Sequence, residues 1–311
     1  MTRNNKHLNI PNNMKDNNKF KGAGVAIATP FLSNGEIDYT SLSKQIEHVI
    51  TGGIDYIVLF GTTGESPVIE NEEKAMAVKK VAEMIGGRVP LVVGFGGNNT
   101  KELVHHIETF DFSGVDGILS VCPYYNKPNQ EGIFHHYKAV CDASPLPVIL
   151  YNVPGRTVIN MEPDTTIRIA KACPNVAGIK EATDNMEQVM YLIQNKPDDL
   201  LVISGDDTLA ILFMSIGAHG AISVIANAFP SEFKGIIQNA AQGDFESARA
   251  YHYKILPLMQ ILLKSGNPSG IKAVLHSMGL CEHNFRLPVY QVNETLYETI
   301  RTETHRLISD N

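Results

Sequence analysis

The chain has 311 residues, 43% of them hydrophobic and 19% charged, with a formal net charge of −7. That much apolar material excludes long disorder for most of the chain, and the acidic balance excludes the basic footprint of a nucleic-acid binder. No stretch reaches the roughly 18 uninterrupted apolar residues of a membrane helix, and residues 1–20 lack the apolar segment of a secretory signal. The four cysteines, Cys122, Cys141, Cys173 and Cys281, form no C-x-x-C pair. Neither a zinc site nor a disulfide framework is expected, and a cytoplasmic setting follows as the default.

In chain order, residues 1–18 are crowded with Asn and Lys and read as a flexible tail. From Gly22 short apolar runs recur at Val25–Ala28, Tyr56–Phe60, Leu91–Gly94, Gly117–Val121, Val148–Tyr151, Val176–Lys180, Leu201–Ser204 and Gly220–Val224. Helical periodicity lies between them, as at Asp38–Ile50, Asn71–Ile85 and Thr100–Phe110, the last with Thr100 placed as N-cap. Near-continuous apolar strands suit a parallel sheet covered on both faces. About eight βα units predict a (β/α)₈ barrel over residues 19–229. A doubly wound sheet would need a G-x-G-x-x-G turn after its first strand. Only a partial match exists, Gly94-Phe-Gly-Gly-Asn-Asn99, after the third strand. Residues 230–311 read as a C-terminal helical domain, with helices over 231–241, 245–263, 270–278 and 292–308.

Barrels of this kind carry their reactive groups at the C-terminal ends of the strands. Those ends are Gly61-Thr-Thr-Gly-Glu-Ser66, Cys122-Pro-Tyr-Tyr-Asn126, Tyr151-Asn-Val-Pro-Gly-Arg-Thr157, Gly178-Ile-Lys-Glu181 and Ser204-Gly-Asp-Asp207. Lys180 closes a strand that should be buried. Burial disfavours an ammonium and frees the amine to form a Schiff base with a carbonyl. The bland alternative is a lysine that snorkels outward or pairs with Glu181. Tyr151 is either a core residue or a proton shuttle beside Lys180. Arg156 offers a fork for a carboxylate, or a surface ion pair. The Gly61–Glu65 turn carries hydroxyls and amides suited to a small carboxylate, but is also ordinary as a turn. Tyr124 and Tyr125 fit either a site or an interface. The pairs His105-His106 and His135-His136 lie on predicted helices, where adjacent residues diverge, so neither chelates and no metal is expected. Asp206 and Asp207 are either a pair for a cation or, as more often, caps of the following helix.

Several motifs occur in a fixed order: GTTGES at 61–66, PYYNKP at 123–128, YNVPGRT at 151–157, GIKEAT at 178–183, SGDD at 204–207 and GAISV at 220–224. In this the chain resembles the dihydrodipicolinate synthase family of the N-acetylneuraminate lyase superfamily, from about Phe20 to near the C-terminus. The resemblance implies condensation of pyruvate with L-aspartate-4-semialdehyde, in the diaminopimelate route to lysine, without a cofactor. By motif position Lys180 matches the Schiff-base lysine and Tyr151 the proton donor and acceptor. Thr62 and Tyr125 match its relay partners, Tyr125 reaching in from an adjacent subunit. Thr63 and Ile222 match positions that hold pyruvate, Gly205 a backbone carbonyl lining the same pocket, and Arg156 the residue receiving the semialdehyde carboxylate. The family also implies a homotetramer built as a dimer of dimers.

Three features depart from the family pattern: the Asn-rich tail, Gly270 where a second Pro is commoner in the Asn267–Lys272 segment, and the regulatory cleft. In lysine-inhibited members that cleft uses residues matching Ser66, Asn98, Glu102 and Tyr124, all suitable here. Two His-type positions correspond instead to Asn71 and Lys74. A cation at Lys74 disfavours a bound lysine ammonium, so weak or altered feedback is expected. The alternatives are another pyruvate-dependent aldolase, acting on a 2-keto-3-deoxy sugar acid or a sialic acid, and a non-catalytic pyruvate-binding barrel.

Overall fold

The computed structural model describes residues 17–309. Eight parallel strands close into a barrel in sequence order. They are β1 (Gly22–Ala26), β2 (Tyr56–Leu59), β3 (Leu91–Gly94), β4 (Gly117–Val121), β5 (Val148–Asn152), β6 (Val176–Glu181), β7 (Leu201–Ser204) and β8 (Gly220–Ser223). Seven of the eight expected runs fall within a residue of these bounds. The first begins three residues earlier than expected, at Gly22, because Gly22 to Val25 pair in register with Gly220 to Ser223 of β8. Glycine and alanine there gave no apolar signal.

Alternation along the strands divides the core in two. Tyr56, Val58, Leu119, Ile149, Tyr151, Ile203 and Ile222 pack inside the barrel, while Ile57, Leu59, Ile118, Leu150, Ile179 and Val202 pack outward beneath the helices. The helices between strands are α1 (Tyr39–Thr51), α2 (Asn71–Ile85), α3 (Thr100–Thr109), α4 (Gln130–Ala143), the short α5 (Pro154–Thr157), α6 (Pro163–Ala172), α7 (Met186–Asn195) and α8 (Ala210–Ser215). The N-cap of α3 is Asn99, not Thr100: the Asn99 side chain accepts from the Glu102 amide, and the Thr100 hydroxyl turns to His136 Nδ1 at 2.8 Å.

Of the expected tail, residues 1–16 lie outside the described residues, and Asn17 and Asn18 are described. Asn17–Phe20 form a 3₁₀ turn against the N-terminal mouth of the barrel. Asn17 donates to the Asp199 carbonyl, Lys19 pairs with Asp116 at 3.1 Å, and fully buried Phe20 meets the Tyr56 ring edge-on.

The C-terminal helices are α9 (Pro230–Ala241), α10 (Phe245–Ser265), α11 (Ser269–Ser277) and α12 (Glu294–Ser309). Of these, α9 also lies on β1 and β8 and completes the ring around the barrel, with α10 packed against it. Asn227 closes the seam at the other end, donating to the Ala26 carbonyl and accepting from the Ala28 amide. No described helix is long and apolar enough to cross a membrane.

Candidate active site

Strand register places the two central residues side by side. Tyr151 and Lys180 are partners across β5 and β6, and both point into the barrel. Both are buried, and the Lys180 ammonium lies 4.5 Å from the centre of the Tyr151 ring. Lys180 neither snorkels outward nor pairs with Glu181. Successive side chains of a strand face opposite ways, so Glu181 points out beneath the helices. There its carboxylate accepts from Asn152 Nδ2 at 2.8 Å and from Gln188. Burial, only partly offset by these two bonds, raises the Glu181 pKa to about 8.

Space for the lysine depends on Gly205. A Cβ at this position would stand 2.9 Å from Lys180 Cε and 2.7 Å from Ala182 Cβ. The Gly205 amide donates to the Glu181 carbonyl at 2.8 Å, which locks the turn after β7 onto β6. Ile222 is buried in the same inner cluster as Tyr151. By contrast Gly94, considered above as part of a nucleotide turn, ends β3 where a Cβ would stand 2.0 Å from the Phe60 carbonyl. Its bareness serves strand packing.

Beside Tyr151 opens a cavity of about 670 Å³ whose wall includes Thr62, Tyr151 and Arg156, whereas Lys180, Thr63, Gly205 and Ile222 lie behind that wall and do not line it. Thr63 is buried, and its hydroxyl accepts a 3.0 Å hydrogen bond from Asn267 Nδ2. Arg156 stands exposed on α5, its guanidinium with no hydrogen-bond or ion-pair partner among the described residues. Tyr125 is not brought to the cavity. Its backbone is left-handed, with φ 73°, the residue is 87% exposed, and it does not line the cavity. Ser66, Asn98, Glu102 and Tyr124 line the outer part of the same cavity, together with Asn71 and Lys74. Asn98 and the Tyr124–Asn126 loop are tied by two reciprocal amide-to-carbonyl bonds of 3.1 Å. Burial pulls the Lys74 pKa down, against the opposing pull of Glu70.

The two aspartates after β7 divide their work. Asp206 accepts from the Thr208 and Leu209 amides and closes the turn before α8, whose own N-cap is Leu209 with no side-chain cap bond, so neither aspartate caps the helix as expected. Asp207 instead reaches across to the Val224 and Ile225 amides and fixes the turn after β8, and burial raises its pKa to about 6. All four cysteines are buried and unbridged, and burial pushes the Cys122 and Cys281 thiols up to about 12. Among the described residues no group of three His, Cys, Asp or Glu is arranged to hold a metal ion.

Sequence reasoning gave no role to four residues that hold the site. Asn267 and Lys272 come from the segment at α11, and Lys272 forms a fully buried 2.7 Å ion pair with Glu65. Thr29 donates to the Gly64 carbonyl at 2.8 Å. Asn152 joins β5 to β6 through Glu181 and also donates to Asn160 at 2.8 Å.

Comparison with known proteins agrees with this geometry. Residues 19–307 match the pattern described as the Dihydrodipicolinate synthetase family. The 4-hydroxy-tetrahydrodipicolinate synthase of Parabacteroides distasonis is 46% identical over 287 residues, covering 92% of this chain and 97% of the relative. The crystal structure of dihydrodipicolinate synthase from Aquifex aeolicus is similar with a TM-score of 0.89 and 38% identity, covering 92% and 98%. A chloride-inhibited dihydrodipicolinate synthase from Acinetobacter baumannii, solved with pyruvate, is similar with a TM-score of 0.89 and 39% identity, over the same shares of each chain.

Proposed function

The chain belongs to the Dihydrodipicolinate synthetase family and has its 4-hydroxy-tetrahydrodipicolinate synthase activity, and we propose that Lys180 carries the reaction as a Schiff base to pyruvate. The observation that carries this assignment is the buried Lys180 Nζ set against the Tyr151 ring at the ends of two paired strands. The Lys180 amine attacks the pyruvate ketone, water leaves, and an imine forms. The protonated imine draws electrons from the neighbouring methyl group, which loses a proton and becomes an enamine. The enamine carbon attacks the aldehyde of L-aspartate-4-semialdehyde. The amino group of that substrate then attacks the imine carbon, closes the ring and releases Lys180. The imine is the electron sink, so these steps call for no metal and no cofactor.

In this reading Tyr151 serves each proton transfer, with Thr62 beside it on the cavity wall. Tyr125, exposed on its own protomer, completes the relay in a neighbouring copy. Thr63, Ile222 and the Gly205 carbonyl hold pyruvate. Arg156, with its guanidinium unpaired, receives the semialdehyde carboxylate. The relay requires at least a dimer. Exposed Met190 and Tyr191 on α7 and Leu212 on α8 offer a second apolar contact, which favours a tetramer built as a dimer of dimers. Buried, unbridged thiols suit a cytoplasmic setting. Lysine feedback through Ser66, Asn98, Glu102 and Tyr124 is weakened by the Lys74 cation that shares their wall. The test is borohydride reduction with pyruvate, followed by a coupled assay with the semialdehyde. A covalent adduct on Lys180, lost in Lys180→Ala, supports the assignment, and an unmodified Lys180 sinks it.

A further inference from the structure

The turn that carries Thr62 and Thr63 is strained at both ends. Phe60 and Glu65, neither of them glycine, have left-handed backbones with φ of 58° and 55°. Such conformations persist only where the surroundings over-determine them, and they gather at functional sites. Three contacts do so here. Thr29 donates to the Gly64 carbonyl at 2.8 Å. Lys272 holds Glu65 at 2.7 Å, with both side chains fully buried and the Lys272 ammonium between the Phe31 and Phe285 rings at 4.5 and 4.4 Å. Asn267 donates to the Thr63 hydroxyl at 3.0 Å. Two of the three come from outside the strand ends where reactive groups are sought: Asn267 from the link between α10 and α11, and Lys272 from α11 itself.

The direction of the Asn267 bond matters. A threonine hydroxyl has one hydrogen to give and two lone pairs. Because Asn267 donates, it occupies a lone pair and leaves the Thr63 hydrogen free for an anion. We propose that Asn267 and Lys272 are positioning residues, which hold the Gly61–Glu65 turn so that Thr63 presents its hydroxyl hydrogen to a bound carboxylate. The proposal rests on the reading of Thr63 as a pyruvate-holding residue. It gives the C-terminal helices a part in substrate binding, through 204 residues of sequence separation.

The test measures the pyruvate concentration at half-maximal borohydride trapping on Lys180, together with the melting temperature, for Asn267→Ala, Asn267→Asp, Thr63→Val and the double variant Asn267→Ala with Thr63→Val. Asn267→Ala should raise half-saturation about tenfold, the scale of one hydrogen bond to a charged group. Asn267→Asp keeps the shape, accepts from Thr63 and reverses the hydroxyl, so it should lose at least as much. Once Thr63 is Val, removing Asn267 should cost nothing further. Lys272→Met alone strands Glu65 as a buried unpaired carboxylate, so Lys272 is tested as Lys272→Met with Glu65→Gln. That pair should fold and show raised half-saturation. Additive losses in the Thr63→Val background, an Asn267→Asp variant with wild-type half-saturation, or a lowered melting temperature with half-saturation unchanged would each overturn the proposal. A wild-type protein that yields no adduct overturns the reading of the site and this proposal together. An adduct in the wild type with additive losses overturns the proposal alone.

Discussion

Replacing Glu181 by Gln should make the protein more stable at alkaline pH while leaving its acid stability almost unchanged. Glu181 is 1% exposed, adjoins Lys180 in sequence and lies on the outer side of the barrel wall. Burial raises its pKa from 4.5 to about 8. The unfolded chain releases this proton near 4.5, whereas the folded protein keeps it up to about 8. Between those values the folded state binds the extra proton, so stability falls as pH rises through the window and the full cost is reached above about 8. At about 1.36 kcal/mol per pH unit, the shift corresponds to about 5 kcal/mol. Local relaxation and water penetration lower that ceiling, and about 2–5 kcal/mol is the expected range.

The Gln side chain is isosteric and can still accept from Asn152 Nδ2, which donates to Glu181 at 2.8 Å. The tie between β5 and β6 therefore survives in Glu181→Gln, and with it the placement of Lys180 beside Tyr151. Urea titrations from pH 5 to pH 9 on both proteins give the difference directly, because contributions from the other titrating groups cancel. Near pH 5 the two stabilities should lie within about 1 kcal/mol, and at pH 9 the variant should lead by the amount above. Parallel curves across the whole range would refute the argument. So would a Glu181→Gln protein destabilised equally at every pH, since that would give Glu181 a role independent of its proton.

Four other outcomes follow from the same geometry. The opposite sign holds for His136, whose pKa burial lowers from 6.5 to about 4: its contribution is intact above 6.5 and lost as pH falls through the window. His136→Gln should therefore reduce acid sensitivity between those values by up to about 3 kcal/mol, measured by the same titrations. Arg156→Ala should lower kcat/KM for the semialdehyde by about 10–100-fold, with pyruvate trapping on Lys180 within about twofold of wild type; equal damage to both would remove Arg156 from its proposed role. Gly205→Ala should abolish trapping without unfolding the protein, since its Cβ would stand 2.9 Å from Lys180 Cε, and full activity in that variant would contradict the packing. Steady-state rates should be nearly insensitive to micromolar lysine because of Lys74, and strong inhibition at that level would overturn the reading of the regulatory cleft.

What the sequence made legible and what it concealed have different physical origins. The strands were visible because β2 to β8 are buried on both faces and so run nearly continuously apolar. The first turn of β1 was not, because Gly22, Ala23 and Gly24 pair with β8 through backbone alone. Lys180 stood out as the one ammonium closing a strand of this type, and the two-residue period of that strand already implied that Glu181 faces the other way. The Asn99–Thr100 pair was ambiguous in principle, since both residues cap well and only the hydrogen-bond geometry separates them. The brace on the Thr62–Thr63 turn belongs to a third kind. Nothing local to Asn267 or Lys272 points to Thr63 or Glu65, because each contact is made by folding alone across more than 200 residues. A lysine within an apolar helical pattern reads as a solvated edge, yet Lys272 has no exposed side-chain surface at all. A buried ion pair is not in itself evidence of stability, since desolvating two charges consumes much of their attraction. Its position, pinning a left-handed Glu65 at the end of the turn that carries Thr62 and Thr63, accounts for its presence better than any contribution to the core. Removing Lys272 alone would strand the Glu65 carboxylate and cost about 3–5 kcal/mol. The neutral replacement of both partners would remove that cost while releasing the turn, so geometry and stability at this site can be moved separately.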